Sequence, residues 1–157
     1  MNWDFKNHPH FEKPKTADGY LESMSKVVFS AGLNWSVVDK KWPDIKKLFS
    51  NFNVGEVAKY DFKDIDKLLK DVRMIRSGGK INAIVNNARA IEEVEKKFGS
   101  MRKYLEQMEK LGIELLLKDL KKRFSYLGAS TAIMFLYGVG QESKELEKIM
   151  VASHRGK

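Results

Sequence analysis

The segment Ser125-Tyr126-Leu127-Gly128-Ala129-Ser130-Thr131-Ala132 joins a basic amphipathic run, Leu116 to Phe124, to an apolar run, Ile133 to Val139. It reads as a helix, a tight glycine turn and the start of a second helix. Gly128 permits a backbone conformation that a Cβ resists, and Ser130 or Thr131 is placed to cap the new helix. The first amides of a helix have no intrahelical partner, and together with the helix dipole they favour an anion. Beside Lys121, Lys122 and Arg123 the natural anion is a nucleic-acid phosphate. The same residues also suit an ordinary helical hairpin with a solvated basic face.

Two further groups invite a chemical reading. Gly78 and Gly79 lie between Arg76 and Lys80 and could cradle a phosphate, but the spacing is neither a P-loop nor a dinucleotide fingerprint. A helix connection is the better reading of that break. His8 and His10 stand two apart without a cysteine or a nearby carboxylate pair, so solvated histidines are expected and no metal site.

The elements that must position these groups are all helical by pattern. Leu21, Met24, Val27, Val28 and Ala31 keep helical spacing from Tyr20 to Ala31, and Gly32 follows as a C-terminal glycine would. Asn34 is placed to cap a helix carrying Trp35, Val37 and Val38. Pro43 suits the first turn of a further helix with Ile45, Leu48 and Phe49. Asn53 and Asp61 are candidate caps, the second for a helix from Phe62 to about Val72. A long helix follows the Gly78-Gly79 break, with Ile81, Ile84, Val85, Ala88, Ile91 and Val94 inward. Ser100 is placed to cap a helix that Gly112 ends, and Leu115 to Phe124 leads to the hairpin. Glu142 to Ala152 reads as a charged terminal helix, followed by a frayed tail. Residues 1–18, rich in aromatics, His and Pro, read as an arm packed through Trp3, Phe5 and Phe11. No useful stretch alternates with period two, so the fold expected is all-α.

The 157 residues suit one domain, residues 1–157, with a core that needs no staples. With no cysteine, disulfides and thiolate metal sites are excluded, which suits a reducing cytoplasm. No signal-type segment or membrane-length apolar run is seen. A net charge of +8 favours a polyanionic partner over an acidic substrate.

Three segments in series resemble the 3-methyladenine DNA glycosylase I family of helix-hairpin-helix glycosylases. The first is Ala31-Gly32-Leu33-Asn34-Trp35 with Lys40-Lys41 downstream. The second is Ile75-Arg76 with Gly79-Lys80-Ile81 and Asn87-Ala88-Arg89. The third runs from Lys118-Asp119-Leu120-Lys121-Lys122-Arg123 through Gly128-Ala129-Ser130-Thr131 to Phe135 and Gly140, and Tyr104-Leu105 adds a weaker match.

The resemblance implies a two-lobed helical fold, with residues 120–140 as the helix-hairpin-helix. It implies a monofunctional hydrolase of base excision repair that flips alkylated purines such as 3-methyladenine from double-stranded DNA and cleaves the N-glycosidic bond. Gly128, Ala129, Ser130 and Thr131, with Lys121, Lys122, Arg76 and Lys80, would hold phosphates. Gly32 and Leu33 would enter the duplex, and Trp35, Val27 and Phe29 would line the base pocket. No cofactor is expected, and no metal because the chain lacks the family's zinc ligands. The protein would act as a cytoplasmic monomer, nucleoid-associated if prokaryotic, and no residue is assigned as the catalytic group.

The chain also departs from the family pattern. Eight residues before Trp35 the family has a base-binding Glu, and here that residue is Val27. The zinc-binding Cys and His are missing, as is the N-terminal His-Asp-x-Glu-Trp segment, and Tyr104-Leu105 continues as Glu106-Gln107-Met108. Glu142 is the carboxylate nearest to where other helix-hairpin-helix glycosylases keep an aspartate, and a solvated helix-start Glu is its better reading. A neutral, more apolar pocket is therefore expected. The alternative is a catalytically impaired relative that binds DNA or recognises lesions. A protein-interaction module that is merely basic is a third reading.

Overall fold

The computed structural model describes residues 13–141 and 143–155, whose regular structure is helical, with no strand among the described residues. The arm residues Trp3, Phe5, His8, His10 and Phe11, and Glu142, lie outside the described residues.

Helix α1 (Ala17–Ser30) begins earlier than its apolar spacing suggests, because Thr16 accepts the Gly19 amide and caps it. Helix α2 (Trp35–Leu48) is capped by Asn34 and runs through Pro43 without a break. The two helices expected on either side of Pro43 are thus one. Ile45 is fully buried on one side of Pro43 and Val38 on the other, and burial of that face outweighs the hydrogen bond a proline cannot donate.

A 3-10 turn (Ser50–Phe52) follows, with φ of 54°, 56° and 56° at three non-glycine residues, a left-handed path that costs about 1–2 kcal/mol per residue. Burial of Phe52 offsets that strain, since its ring stacks between Trp42 (5.2 Å) and Phe49 (5.6 Å). Helix α3 (Val54–Ala58) opens with the Val54 amide donating to the Asp18 carboxylate of α1. Helix α4 (Phe62–Lys70) starts at Asp61 with a complete capping box.

The loop from Asp71 to Ser77 is tied down before α5 (Gly78–Phe98) begins. The Asp71 carboxylate accepts from the Arg73 amide and guanidinium, and Lys41 Nζ reaches the Val72 and Met74 carbonyls at 3.4 Å each. At 21 residues α5 is about 31 Å long and forms the spine of the molecule. It packs on α1, α3, α4 and α6 (Met101–Leu111), while α8 (Ala129–Gly138) packs on α1 and α7 (Ile113–Arg123). Helix α9 (Lys144–Arg155) runs past the expected end at Ala152. Ser100 and Gly112 stand at the ends of α6 as their types suggest, Gly112 with φ 129°.

The core is one contiguous cluster, and every inward position expected of α5 is at most 1% exposed. One ion pair enters it: Lys26 Nζ meets Asp39 Oδ1 at 2.6 Å, with the lysine side chain 9% exposed and its ammonium over the Trp42 ring.

Two outcomes follow from this packing. Ile84→Ala removes a fully buried side chain from the spine and should cost about 3 kcal/mol, read as a lower urea midpoint with an unchanged slope. The Arg73 guanidinium, with its amide, lowers the Asp71 pKa from 3.8 to about 2. The stabilisation is present above the ordinary value and is lost as pH falls toward about 2. An NMR titration of the Asp71 carboxyl should show its midpoint near 2, returning toward 3.8 in Arg73→Ala, whereas a wild-type midpoint near 3.8 would contradict the pairing.

Candidate nucleic-acid interface

The turn between α1 and α2 is built around one glycine. Ala31 has φ −60° and ψ 118°, Gly32 has φ 76°, and the Leu33 amide bonds the Ser30 carbonyl at 3.0 Å, which is a type II turn. A side chain at Gly32 would be strained by that φ, although the space beside it is open. The turn leaves Leu33 37% exposed at its tip, an apolar side chain held between two ordered helix ends.

Lys80, in the first turn of α5, reaches under this turn. Its Nζ donates to the carbonyls of Ala31 (2.6 Å) and Phe29 (3.2 Å) at the end of α1, where a cation meets the negative end of the helix dipole. Burial lowers its pKa below the ordinary lysine value. The residue expected at a phosphate therefore spends two of its three donors on main-chain carbonyls. Arg76, on the loop before α5, is exposed, and Ser77 caps α5.

The α7–α8 turn has its own anchor. Asn87 is completely buried, and its side-chain amide accepts from the Ser125 amide (2.7 Å) and donates to the Ser125 carbonyl (3.1 Å). Two expectations for this turn are corrected. Gly128 has φ −76° and ψ −170°, open to any residue, and the left-handed position belongs to Tyr126, with φ 66°. Gly128, not Ser130 or Thr131, is the N-cap, and no side chain bonds the helix start. The first backbone bond across this helix start joins the Ala132 amide to the Gly128 carbonyl at 2.8 Å. The amides of Ala129, Ser130 and Thr131 precede it, and Ala129 and Ser130 are exposed. A Cβ at Gly128 would meet nothing within 4 Å, so what the glycine provides is open approach to those amides.

Tyr126 is half exposed, and its hydroxyl lies against Gly79, where a Cβ would collide with it. The hairpin therefore rests on α5 at Gly79 and again at Asn87.

The basic run divides. Lys121 and Lys122 are exposed, whereas Arg123 pairs with Asp119 at 2.6 Å and lies 5.5 Å from the rings of Phe98 and Tyr104. The Tyr104 hydroxyl donates to the same carboxylate at 2.5 Å, and burial first, then that bond, raises its pKa. Arg89, which ends the second motif, donates to the carbonyls of Ala58 and Tyr60 at 2.9 Å each.

The three expected pocket residues separate. Trp35 opens α2 directly behind Leu33 and is half-buried against the core. Val27 is 4% exposed in the last turn of α1. Phe29 is fully enclosed, with its ring 6.3 Å from Trp42 and 6.2 Å from Phe49, so it supports the site from behind and offers no face to a ligand. No group of three or more candidate metal ligands occurs among the described residues.

Asn87 and Tyr126 received no role from the sequence. The signal for Asn87 was present, because it sits at core spacing among Ile84, Ala88 and Ile91, where a buried amide must find partners. Tyr126 gave no such signal.

A family model described as methyladenine glycosylase matches residues 13–114. Over 85 residues the chain is 36% identical to DNA-3-methyladenine glycosylase 1 of Escherichia coli strain K12, a match covering 49% of this chain and 46% of that protein. It thus spans about half the length of that relative. Identity to the DNA-3-methyladenine glycosylase of Haemophilus influenzae is 30% over 129 residues, 70% of each chain. Among solved structures, a Tyr-to-Phe variant of a 3-methyladenine DNA glycosylase I in complex with 3-methyladenine superposes with a TM-score of 0.75 at 26% identity, covering 87% of this chain and 83% of that one. A solution structure of a 3-methyladenine DNA glycosylase I gives 0.70 at 25% identity, with the same coverage.

Proposed function

The chain belongs to the methyladenine glycosylase family, and on that premise we propose that it is a monofunctional DNA repair glycosylase that removes alkylated purines from double-stranded DNA. The observation that carries this reading is the attachment of an exposed apolar tip, Leu33, and an open helix start, Ala129 to Thr131, to one helix. A base cannot be attacked inside the stack, so the enzyme needs a grip on the backbone, a plug for the gap and a surface for the extruded base.

The α8 amides with Gly128 take a phosphate in the manner of a helix-hairpin-helix, assisted by Lys121, Lys122 and Arg76. Gly32 lets Leu33 project into the duplex, where it fills the space the base leaves. Trp35 stacks on the extruded purine, whose positive charge suits the negative face of an indole. Val27, in place of a carboxylate, makes the pocket neutral and apolar.

In the chemical step water adds to the sugar carbon and the N-glycosidic bond breaks. The electron pair of that bond goes to the purine, which leaves as a neutral base, and the water yields a proton to solvent. The product is an abasic site. A purine methylated at a ring nitrogen already carries positive charge and leaves readily, so binding the flipped base away from bulk water supplies the catalysis. No side chain here needs to act as nucleophile.

A second reading is motivated by Val27: a relative that grips damaged DNA without releasing base. The two separate in one assay. Incubation of 3-methyladenine-containing duplex with micromolar protein should release free base, and Leu33→Ala should slow release about tenfold, roughly 1.4 kcal/mol of lost transition-state stabilisation. Tight binding to an abasic duplex with no base released would establish the second reading instead.

A further inference from the structure

We infer that Lys80 and Asn87 are positioning residues through which α5 fixes the distance between the loop that enters the duplex and the hairpin that grips it. This rests on the roles proposed above for Leu33 and for Gly128 to Thr131.

The two residues are seven apart on one helix. That is close to two full turns, so both side chains leave the same face, about 10 Å apart along the axis. Each captures main chain rather than a side chain. Lys80 takes the carbonyls of Phe29 and Ala31, the residue just before Gly32. Asn87 takes both backbone groups of Ser125, three residues before Gly128. The Tyr126 hydroxyl adds a third contact at Gly79, next to Lys80, so the hairpin spans the same stretch of α5 that holds the loop.

Mechanically, the arrangement resists the reaction it serves. Driving an apolar side chain into a base stack pushes back on the loop that carries it. A type II turn closed by one backbone bond gives little resistance unless it is braced. Lys80 braces it from beneath, and the brace is referred to the phosphate grip through a rigid helix. A displacement of about 1 Å in such a constellation is worth about a hundredfold in rate. Lys80 in this role never touches DNA, which sets it apart from Lys121 and Lys122.

The test uses the full chain and duplex DNA carrying 3-methyladenine with 2-aminopurine beside it. Single-turnover base release, the fluorescence rise on flipping, affinity for undamaged duplex and the thermal midpoint are measured for each variant. Lys80→Met should slow both flipping and release at least about tenfold, with affinity for undamaged duplex changed less than about threefold. Lys80→Arg should recover part of the rate, because its donors can still reach the carbonyls.

Wild-type flipping in Lys80→Met while Leu33→Ala is slowed would overturn the inference and leave the reading of the loop intact. Wild-type flipping in Leu33→Ala would overturn that reading, and this inference with it. Affinity for undamaged duplex falling in step with the rate, with a shallower salt dependence, would make Lys80 a phosphate contact and overturn the inference as well. Should Lys80→Met fail to fold, Gly79→Ala disturbs the same span through Tyr126. It should slow flipping and be relieved by Tyr126→Phe, and a wild-type rate there would overturn the inference.

Discussion

Asn87 is the constraint around which the rest of the site is arranged. A primary amide with no solvent exposure must find partners inside the protein, or leave a desolvated donor and acceptor at about 1–3 kcal/mol each. Here the partners are the amide and carbonyl of Ser125. The requirement works in both directions. It keeps α5 in register with the α7–α8 turn, and it satisfies the backbone of a residue that leaves α7 without entering α8. The open start of α8 depends on this, since a turn pinned by its own caps would have spent those amides internally.

The same economy explains where the positive charge goes. In a chain of net charge +8, several cations bond the protein itself. Lys41, Lys80 and Arg89 each bond main-chain carbonyls of another segment. Lys26 is buried against Asp39, and Arg123 pairs with Asp119 beside the rings of Phe98 and Tyr104. Arg76, Lys121 and Lys122 are among the cations left exposed. Much of the charge in this chain therefore goes into holding short connections in place, and under the proposed function the remaining exposed cations face the DNA.

Much of this was legible in the sequence, and the failures have physical causes. Cap residues announced themselves: Asn34, Asn53, Asp61 and Ser100 all bond the first turn of the helix they precede. The apolar spacing of α5 named six positions that are all buried and left out Ala83 and Asn87, which are buried as well. Pro43 misled because a proline's local preference is weaker than the burial of the helix around it. Gly128 misled because a glycine has two uses, unusual φ and absence of bulk, and a sequence does not distinguish them. Lys80 misled because a lysine beside paired glycines looks the same whether it reaches a ligand or its own backbone. Phe29 lies two residues from Val27, and only the three-dimensional packing shows that its ring turns inward onto Trp42 and Phe49.

The molecule holds an apolar tip, Leu33, and the start of α8 against one spine, which is the arrangement the proposed grip on a duplex requires. A competing surface exists: a cavity of about 540 Å³ lies at the starts of α1 and α6, ringed in part by Lys13, Lys15 and Arg102. The most direct measurement is amide chemical-shift mapping with a duplex holding a stable abasic analogue. The amides of Gly32, Leu33, Ala129, Ser130 and Thr131 should shift together along one binding curve. Shifts confined to the hairpin with the Gly32–Leu33 turn silent, or centred on the α1–α6 cavity, would contradict a two-element interface.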